Sequence, residues 1–260
     1  MPDSKNPSFI AIIPARYASS RFPGKPLAKI GGREMILRVC DRVSIACASL
    51  AVATDDDRIA RCVEHAGYRA VLTSKDHPSG TDRVREAFEK LGSPADVVIN
   101  VQGDEPFIAP SQIEALIDIF RHKPEAELAT LARPFDKKFG FEALFDPNLV
   151  KVTFSDTRRA LYFSRSIIPY VRGAEWKQWL DNTEFHTHVG IYGYRAETLR
   201  RITSMPRSSL EIAESLEQLR WLQAGLDIHI GITTEPTVGI DTPADLAAAE
   251  KILAASQENN

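Results

Sequence analysis

The chain has 260 residues, of which 43% are hydrophobic and 26% charged, with a formal net charge of −3. That length supports one large α/β domain, or one domain with a sizeable insertion, and the composition excludes wholesale disorder. The acidic balance argues against a general nucleic-acid binder, and no apolar run reaches membrane-spanning length. Cys40, Cys47 and Cys62 form no C-x-x-C pair and no metal-ligand pattern. So sparse a set reads as reduced thiols in a cytosol, with Cys40 and Cys47 as core positions on one helix face.

Residues 1–8 are polar and carry no basic-then-apolar targeting pattern, so they read as a disordered tail, matched by residues 257–260. Residues 9–14 (FIAIIP) form a continuous apolar run, the mark of a strand buried on both faces. A long loop to Gly32 follows. Then Met35, Ile36, Val39, Cys40 and Val43 predict a helix over 34–46. Strands are predicted at 50–54, 69–73 and 96–101, alternating with helices at 56–66, 82–91 and 111–120. The last helix carries an expected capping box of Ser111 and Glu114. This alternation implies βαβ units and a mostly parallel sheet, with ligands at the carboxyl ends of its strands.

After residue 126 the rhythm changes. Strands are expected at 128–133, 150–155, 160–164 and 227–233, with irregular stretches at 140–147 and 168–183. A second capping box, Ser208 with Glu211, predicts one helix to about residue 224. A third, Thr242 with Pro243 and Asp245, opens the final helix. The expected organisation is a single domain over 1–260 with an inserted lobe at about 135–190.

Between residues 8 and 33 the chain holds Arg16, Arg21, Lys25, Lys29 and Arg33 and no acidic residue. In an acidic protein that asymmetry is informative. Gly24, between Pro23 and Lys25, allows a sharp turn that presents backbone amides, and the cations add charge-assisted bonds to phosphate oxygens. The loop is neither a Walker A motif, since Pro26 follows Lys25, nor a Rossmann G-x-G-x-x-G. A merely solvated basic loop is the competing reading. Asp104, in the NVQGDEP turn after a buried strand, has the oxygen donors that Mg²⁺ takes, but an acidic turn alone would look the same.

The run IIPARYASSRFPGKPL, together with NVQGDEP and GIDTPADL, resembles the signatures of the CMP-Kdo synthetases (3-deoxy-manno-octulosonate cytidylyltransferases). The resemblance extends from residue 9 to about 253. It implies a nucleotidyltransferase-type (Rossmann-like) sheet flanked by helices, and the reaction of CTP with Kdo to give CMP-Kdo and pyrophosphate for lipopolysaccharide biosynthesis. It implies that Arg16, Arg21 and Lys25 hold the triphosphate of CTP, and that Asp104 and Asp241 bind Mg²⁺. Asp241 alone would read as an ordinary residue before a helix.

The segment HPSGTDR resembles the family's base-reading turn, which brings in Ser79, Gly80 and Arg83, helped by Gln102. Capping by Thr81 is the plainer alternative for that turn. Three further stretches, YFSR, HVGIYGY and LEIAESLEQLR, are similar to the family's sugar-binding elements. By position they implicate Arg165 for the sugar carboxylate, His188 and Tyr192 for the sugar, and Glu214, Glu217 and Gln218 as candidates for its hydroxyls. His186 and His188 share a strand face, but no third zinc ligand is in view. The resemblance also implies a cytoplasmic homodimer built from the inserted lobe. A modified Kdo, another acidic sugar, or a non-catalytic nucleotide-binding relative are the alternatives, and a dinucleotide oxidoreductase is disfavoured by the missing glycine fingerprint.

Overall fold

The structure is a computed structural model that describes residues 6–18 and 21–258, with side chains to residue 254. Ser19 and Ser20 of the basic loop lie outside the described residues, as do 1–5 and 259–260 of the expected tails. In chain order the elements are β1 (Phe9–Ala15), the short pair β2 (Lys29–Ile30) and β3 (Arg33–Glu34), α1 (Met35–Ala46), β4 (Leu50–Thr54) and α2 (Asp57–His65). Next come β5 (Arg69–Leu72), α3 (Gly80–Leu91), β6 (Val97–Asn100), α4 (Pro110–His122) and β7 (Leu128–Pro134). The chain continues through β8 (Lys151–Phe154), β9 (Ala160–Ser164), α5 (Trp179–Asn182), β10 (His186–Arg195) and α6 (Ala196–Thr203). It ends with α7 (Ser209–Glu214), α8 (Gln218–Gln223), β11 (His229–Ile232) and α9 (Pro243–Glu258). The described residues form two compact units, one within 1–114 together with 236–260, the other within 115–235.

In the first unit β6, β1, β4 and β5 pair in that order, all parallel, with Ile12 opposite both Asn100 and Ala51. Ile10 to Ile13 are buried, as the apolar run requires. The five apolar positions predicted for α1 are all buried. Cys40 is buried among them, and burial pushes its thiol up to about 12, so it stays protonated and inert. Ile30, Met35, Ile240 and Ala249 form one apolar cluster that ties α9 to the β2–α1 segment.

Two helix starts differ from expectation. Helix α3 begins at Gly80 and is capped by Ser79, whose Oγ accepts from Asp82 N at 3.2 Å, so Thr81 lies inside the first turn rather than at the cap. Helix α4 begins at Pro110, which suits the first position because it has no N–H to leave unpaired. Its Gln112 side chain accepts from Ala109 N at 2.9 Å, half of a capping box, and Ser111 is merely an exposed first-turn residue. At the other end α9 runs to Glu258, because Gln257 and Glu258 are good helix formers and not a tail.

In the second unit β11 pairs parallel with β7, and β7, β10, β8 and β9 follow antiparallel. Strand β10 bulges between Val189 and Tyr192: His188 faces Ala132, Val189 faces Leu131, and Tyr192, not Gly190, faces Thr130. Phe135, Phe141, Leu144, Trp179, Leu180 and Phe185 bury a separate apolar cluster under the stretches expected to be irregular. Those stretches hold short 3₁₀ turns at Phe141–Phe145 and Trp176–Gln178, and α5. Helix α6, which buries Leu199 and Ile202, is an addition to the sequence reading.

The single helix expected from Ser208 to about residue 224 is broken. The Ser208–Glu211 capping box forms, but Ser215 turns left-handed at φ 51° and α8 restarts at Gln218. The cause is Arg165. Its Nε donates to Glu214 O at 2.6 Å and its Nη2 to Ser215 O at 3.3 Å. Those carbonyls would otherwise accept from residues four further on, so the helical ladder is interrupted there.

Candidate active site

In the first unit the carboxyl ends of β1 and β6, the basic loop, the start of α3 and the residues before α9 enclose a cavity of about 280 Å³. Arg16, Arg21, Lys25, Ser79, Gly80, Arg83, Gln102, Asp104 and Asp241 all line it. Local chemistry explains each placement. Gly24 takes a left-handed φ of 73°, its N–H donating to Tyr17 O at 2.9 Å, and this turn directs Lys25 inward. Gly103 follows β6 where a Cβ would lie 2.8 Å from Pro14 O, so only glycine lets the chain pass β1 and leave Asp104 at the rim. Ile240 N donates to Asp104 O at 3.0 Å, which joins the two acidic segments. Asp245 closes the third capping box onto Thr242 and also accepts from Asp241 N at 3.0 Å.

One ammonium bridges the two carboxylates: Lys25 Nζ donates to Asp104 Oδ2 at 2.7 Å and to Asp241 Oδ1 at 3.1 Å. Arg21 Nη2 donates to the other Asp241 oxygen at 3.0 Å. Glu105, next in the chain, behaves differently. Its Oε2 is buried with no hydrogen-bond partner among the described residues, and burial, then the Asp104 charge, pushes its pKa up to about 7.

Arg83 lines the cavity but is itself buried, donating to Asp55 Oδ2 at 3.1 Å and Thr73 Oγ1 at 2.6 Å. It therefore braces the start of α3 against Asp55 and Thr73 as well as facing the cavity. Asp55 is not singled out by the sequence; its position just past β4 at the carboxyl edge is the available signal. Glu86, on α3, touches His77 and accepts from Ser74 N at 2.9 Å and from Lys90 at 2.7 Å, so it fixes the loop that leads into Ser79.

The sugar-element residues expected from resemblance lie in the second unit. There Glu214 accepts from Ser164 Oγ at 2.6 Å and from Arg165 N at 2.8 Å. Arg165 also donates from Nη1 to Pro147 O at 2.7 Å, so three of its five N–H groups hold carbonyls. Gln218 is buried, and its Nε2 has no partner among the described residues. Arg220 is buried against Glu211 through two bonds of 2.8 and 2.7 Å. It also lies 3.5 Å from Glu217. His188 and Tyr192 form an aromatic group with Phe163 and Trp221. Burial pushes the His188 pKa down to about 3, and the Tyr192 phenol is pushed up by burial first and by nearby Tyr194 and Glu217. His186 instead lies 3.4 Å from Glu184 and edge-on to Phe154.

Comparison with known proteins accounts for this arrangement. The sequence pattern of the family described as Cytidylyltransferase matches residues 10–228. The 3-deoxy-manno-octulosonate cytidylyltransferase of Parabacteroides distasonis is 51% identical over 247 residues, which cover 95% of this chain and 98% of that one. The enzyme of the same name from Phocaeicola vulgatus is 53% identical over 245 residues, covering 94% and 97%. A solved structure of a CMP:2-keto-3-deoxy-manno-octonic acid synthetase complexed with CTP superimposes with a TM-score of 0.88 at 40% identity, covering 96% of this chain and 99% of that one. The 4-diphosphocytidyl-2C-methyl-D-erythritol synthase of Anaerococcus prevotii, 14% identical with a TM-score of 0.62, covers 96% and 100% and shares the fold. The expected nucleotidyltransferase-type α/β fold is thus borne out. No helix among the described residues is long and apolar enough to cross a membrane.

Proposed function

The chain belongs to the cytidylyltransferase family, and we propose that it transfers CMP from CTP to 3-deoxy-manno-octulosonate (Kdo), releasing pyrophosphate. The observation that carries this reading is the convergence of Lys25, Asp104 and Asp241 in a cavity at the carboxyl ends of β1 and β6. The anomeric hydroxyl of Kdo attacks the α-phosphorus, the bond to the β-phosphate oxygen breaks, and pyrophosphate departs. Such a transfer is governed by alignment and charge neutralisation, and needs no nucleophilic side chain. Arg16 and Arg21 bind the phosphates. Lys25, whose ammonium bridges two carboxylates here, exchanges them for phosphate oxygens and stabilises the leaving group. Ser79, Gly80 and Gln102 read the cytosine, with Arg83 bracing their turn.

Mg²⁺ fits this site. Two carboxylates aimed at one ammonium converge on a volume that one cation fills, and all the donors are oxygen. No group of three His, Cys, Asp or Glu side chains suited to a metal occurs among the described residues. The remaining ligands are then phosphate oxygens and waters, as Mg²⁺ prefers. Asp104 and Asp241 would hold the ion, which supplies charge neutralisation at the α-phosphate.

For the sugar, Arg165 meets the carboxylate through its remaining N–H groups, and His188, Tyr192, Glu214, Glu217 and Gln218 meet the hydroxyls. The unpartnered Gln218 amide supports this, because a buried N–H without an acceptor costs about 1–3 kcal/mol until a ligand completes it. The enzyme works in the cytoplasm as a homodimer. Exposed Phe145, Tyr170 and Trp176 beside the buried aromatic cluster support an interface there, and sedimentation at several concentrations tests it.

The deciding experiment is pyrophosphate release from CTP and Mg²⁺ with Kdo, an amino-Kdo, sialic acid or no sugar. Release with Kdo is expected. Release with amino-Kdo alone would reassign the sugar, and release with none of them would overturn the transferase reading.

A further inference from the structure

We infer that Thr130 is a positioning residue for the sugar site: its buried hydroxyl holds the β10 bulge and makes His188 a hydrogen-bond acceptor through Nδ1. The inference rests on the reading that His188 touches the sugar, and it deepens that reading by naming the chemistry His188 offers.

Thr130 lies on β7, fully buried. Its Oγ1 stands 2.7 Å from Ile191 O, 3.1 Å from Val189 O and 2.9 Å from His188 Nε2. A hydroxyl has one proton, and a carbonyl oxygen only accepts. Were that proton directed at His188, the hydroxyl oxygen would face two carbonyl oxygens with lone pairs opposed. The proton therefore goes to the carbonyls, and Oγ1 accepts from His188. Nε2 must then carry hydrogen, which leaves Nδ1 as the lone pair of a neutral ring. Burial of the ring favours the same neutral form.

A ring in this state cannot act as a cation for the sugar carboxylate. It accepts from a hydroxyl, and leaves the carboxylate to Arg165. The ring plane is set as well, by edge-on packing against buried Phe163 at 5.0 Å between centroids.

The same hydroxyl fixes a distance. Residues four apart on a regular strand are separated by about 13 Å. His188 and Tyr192 have ring centroids 5.4 Å apart, because the bulge removes Gly190 and Ile191 from the ladder. Thr130 donates into that bulge, so its loss releases both rings together.

The test uses the full chain with ¹⁵N-labelled histidine, with His188→Gln to assign the signals. In the wild type, His188 is expected to show Nε2 protonated and Nδ1 unprotonated at neutral pH. Thr130→Val keeps the buried shape without the hydroxyl. It should mix or invert the tautomers and raise KM for Kdo about 10- to 100-fold, an effect the size of a lost site hydrogen bond, with KM for CTP unchanged. Thr130→Ser should restore both. A wild-type ring protonated on Nδ1, or a Thr130→Val enzyme with unchanged tautomer and KM, overturns the inference. If Thr130→Val does not fold, the wild-type spectrum and Thr130→Ser decide alone. The sugar reading fails by a different sign: His188→Gln would leave KM for Kdo unaltered.

Discussion

Lys25 and Asp104 form an ion pair in the cavity of the first unit, 2.7 Å between Nζ and Oδ2, and the lysine is the more buried partner, 12% exposed against 34%. The Lys25 ammonium therefore marks the point on which the Asp104 and Asp241 carboxylates converge. Replacing Asp104 by Asn keeps the shape and removes the charge that would hold the metal. Pyrophosphate release should fall by on the order of 10²–10³-fold, with circular dichroism and Tm close to wild type. Near-normal turnover in Asp104→Asn would sink the metal assignment.

Arg165 both clamps the α7–α8 break and presents its remaining N–H groups. Arg165→Lys keeps the charge but loses the planar fork that reaches three carbonyls. KM for Kdo should rise about 10- to 100-fold while KM for CTP holds, together with a small fall in Tm. A rise confined to CTP would mean the pockets are exchanged.

Glu211 and Arg220 carry opposite charges out of water across that same break. Removing Arg220 takes from Glu211 its two closest bonds and leaves it, for a cation, only exposed Arg207 at 3.4 Å, so Arg220→Met should cost about 1–3 kcal/mol in urea unfolding. The double variant Glu211→Leu/Arg220→Met should recover most of the loss. A double variant as unstable as the sum of the singles would remove the coupling argued from the geometry.

Glu86 supplies a pH signature. Desolvation pushes its carboxyl up, but Lys90, Ser74 N and His77 outweigh that and hold it at about 2, against an ordinary value of 4.5. Its folded pKa is depressed, so its contribution is complete above pH 4.5 and disappears as pH falls toward 2. Wild type should exceed Glu86→Gln in stability by about 1–3 kcal/mol at neutral pH, converging as pH falls through that window. A difference constant from pH 7 to pH 3 would show that the ion pairs are not its source.

The parallel half of the fold was legible because its strands are buried on both faces and its helices carry one apolar stripe. Phe9–Ala15 and Met35–Ala46 show this directly. The cavity cations Arg16, Arg21 and Lys25 were legible because the basic loop has no acidic neighbour, whereas Ser79, Gly80, Arg83 and Gln102 needed the family's motif. What stayed hidden depends on contacts distant in sequence. Nothing near Ser215 signals a helix break, since the carbonyls are drawn away by Arg165 some 50 residues earlier. Asp241 needed the family's motif, because its approach to Asp104 is made through Ile240 N. Thr130 sits in an ordinary strand pattern, and its hydroxyl matters only once β10 bulges beside it.

That bulge also sets a rule for how the gene can change length. His188 and Tyr192 face Ala132 and Thr130 on one side of the sheet, and between Val189 and Tyr192 strand β10 carries two residues, Gly190 and Ile191, that β7 does not match. Deleting Gly190 alone would leave one extra residue, an ordinary single-residue bulge that still opposes Tyr192 to Thr130. Deleting Gly190 and Ile191 together would preserve the faces and straighten the strand. Length variants of this segment should therefore sort by whether any bulge remains, because only the loss of both residues takes the kink out of the strand.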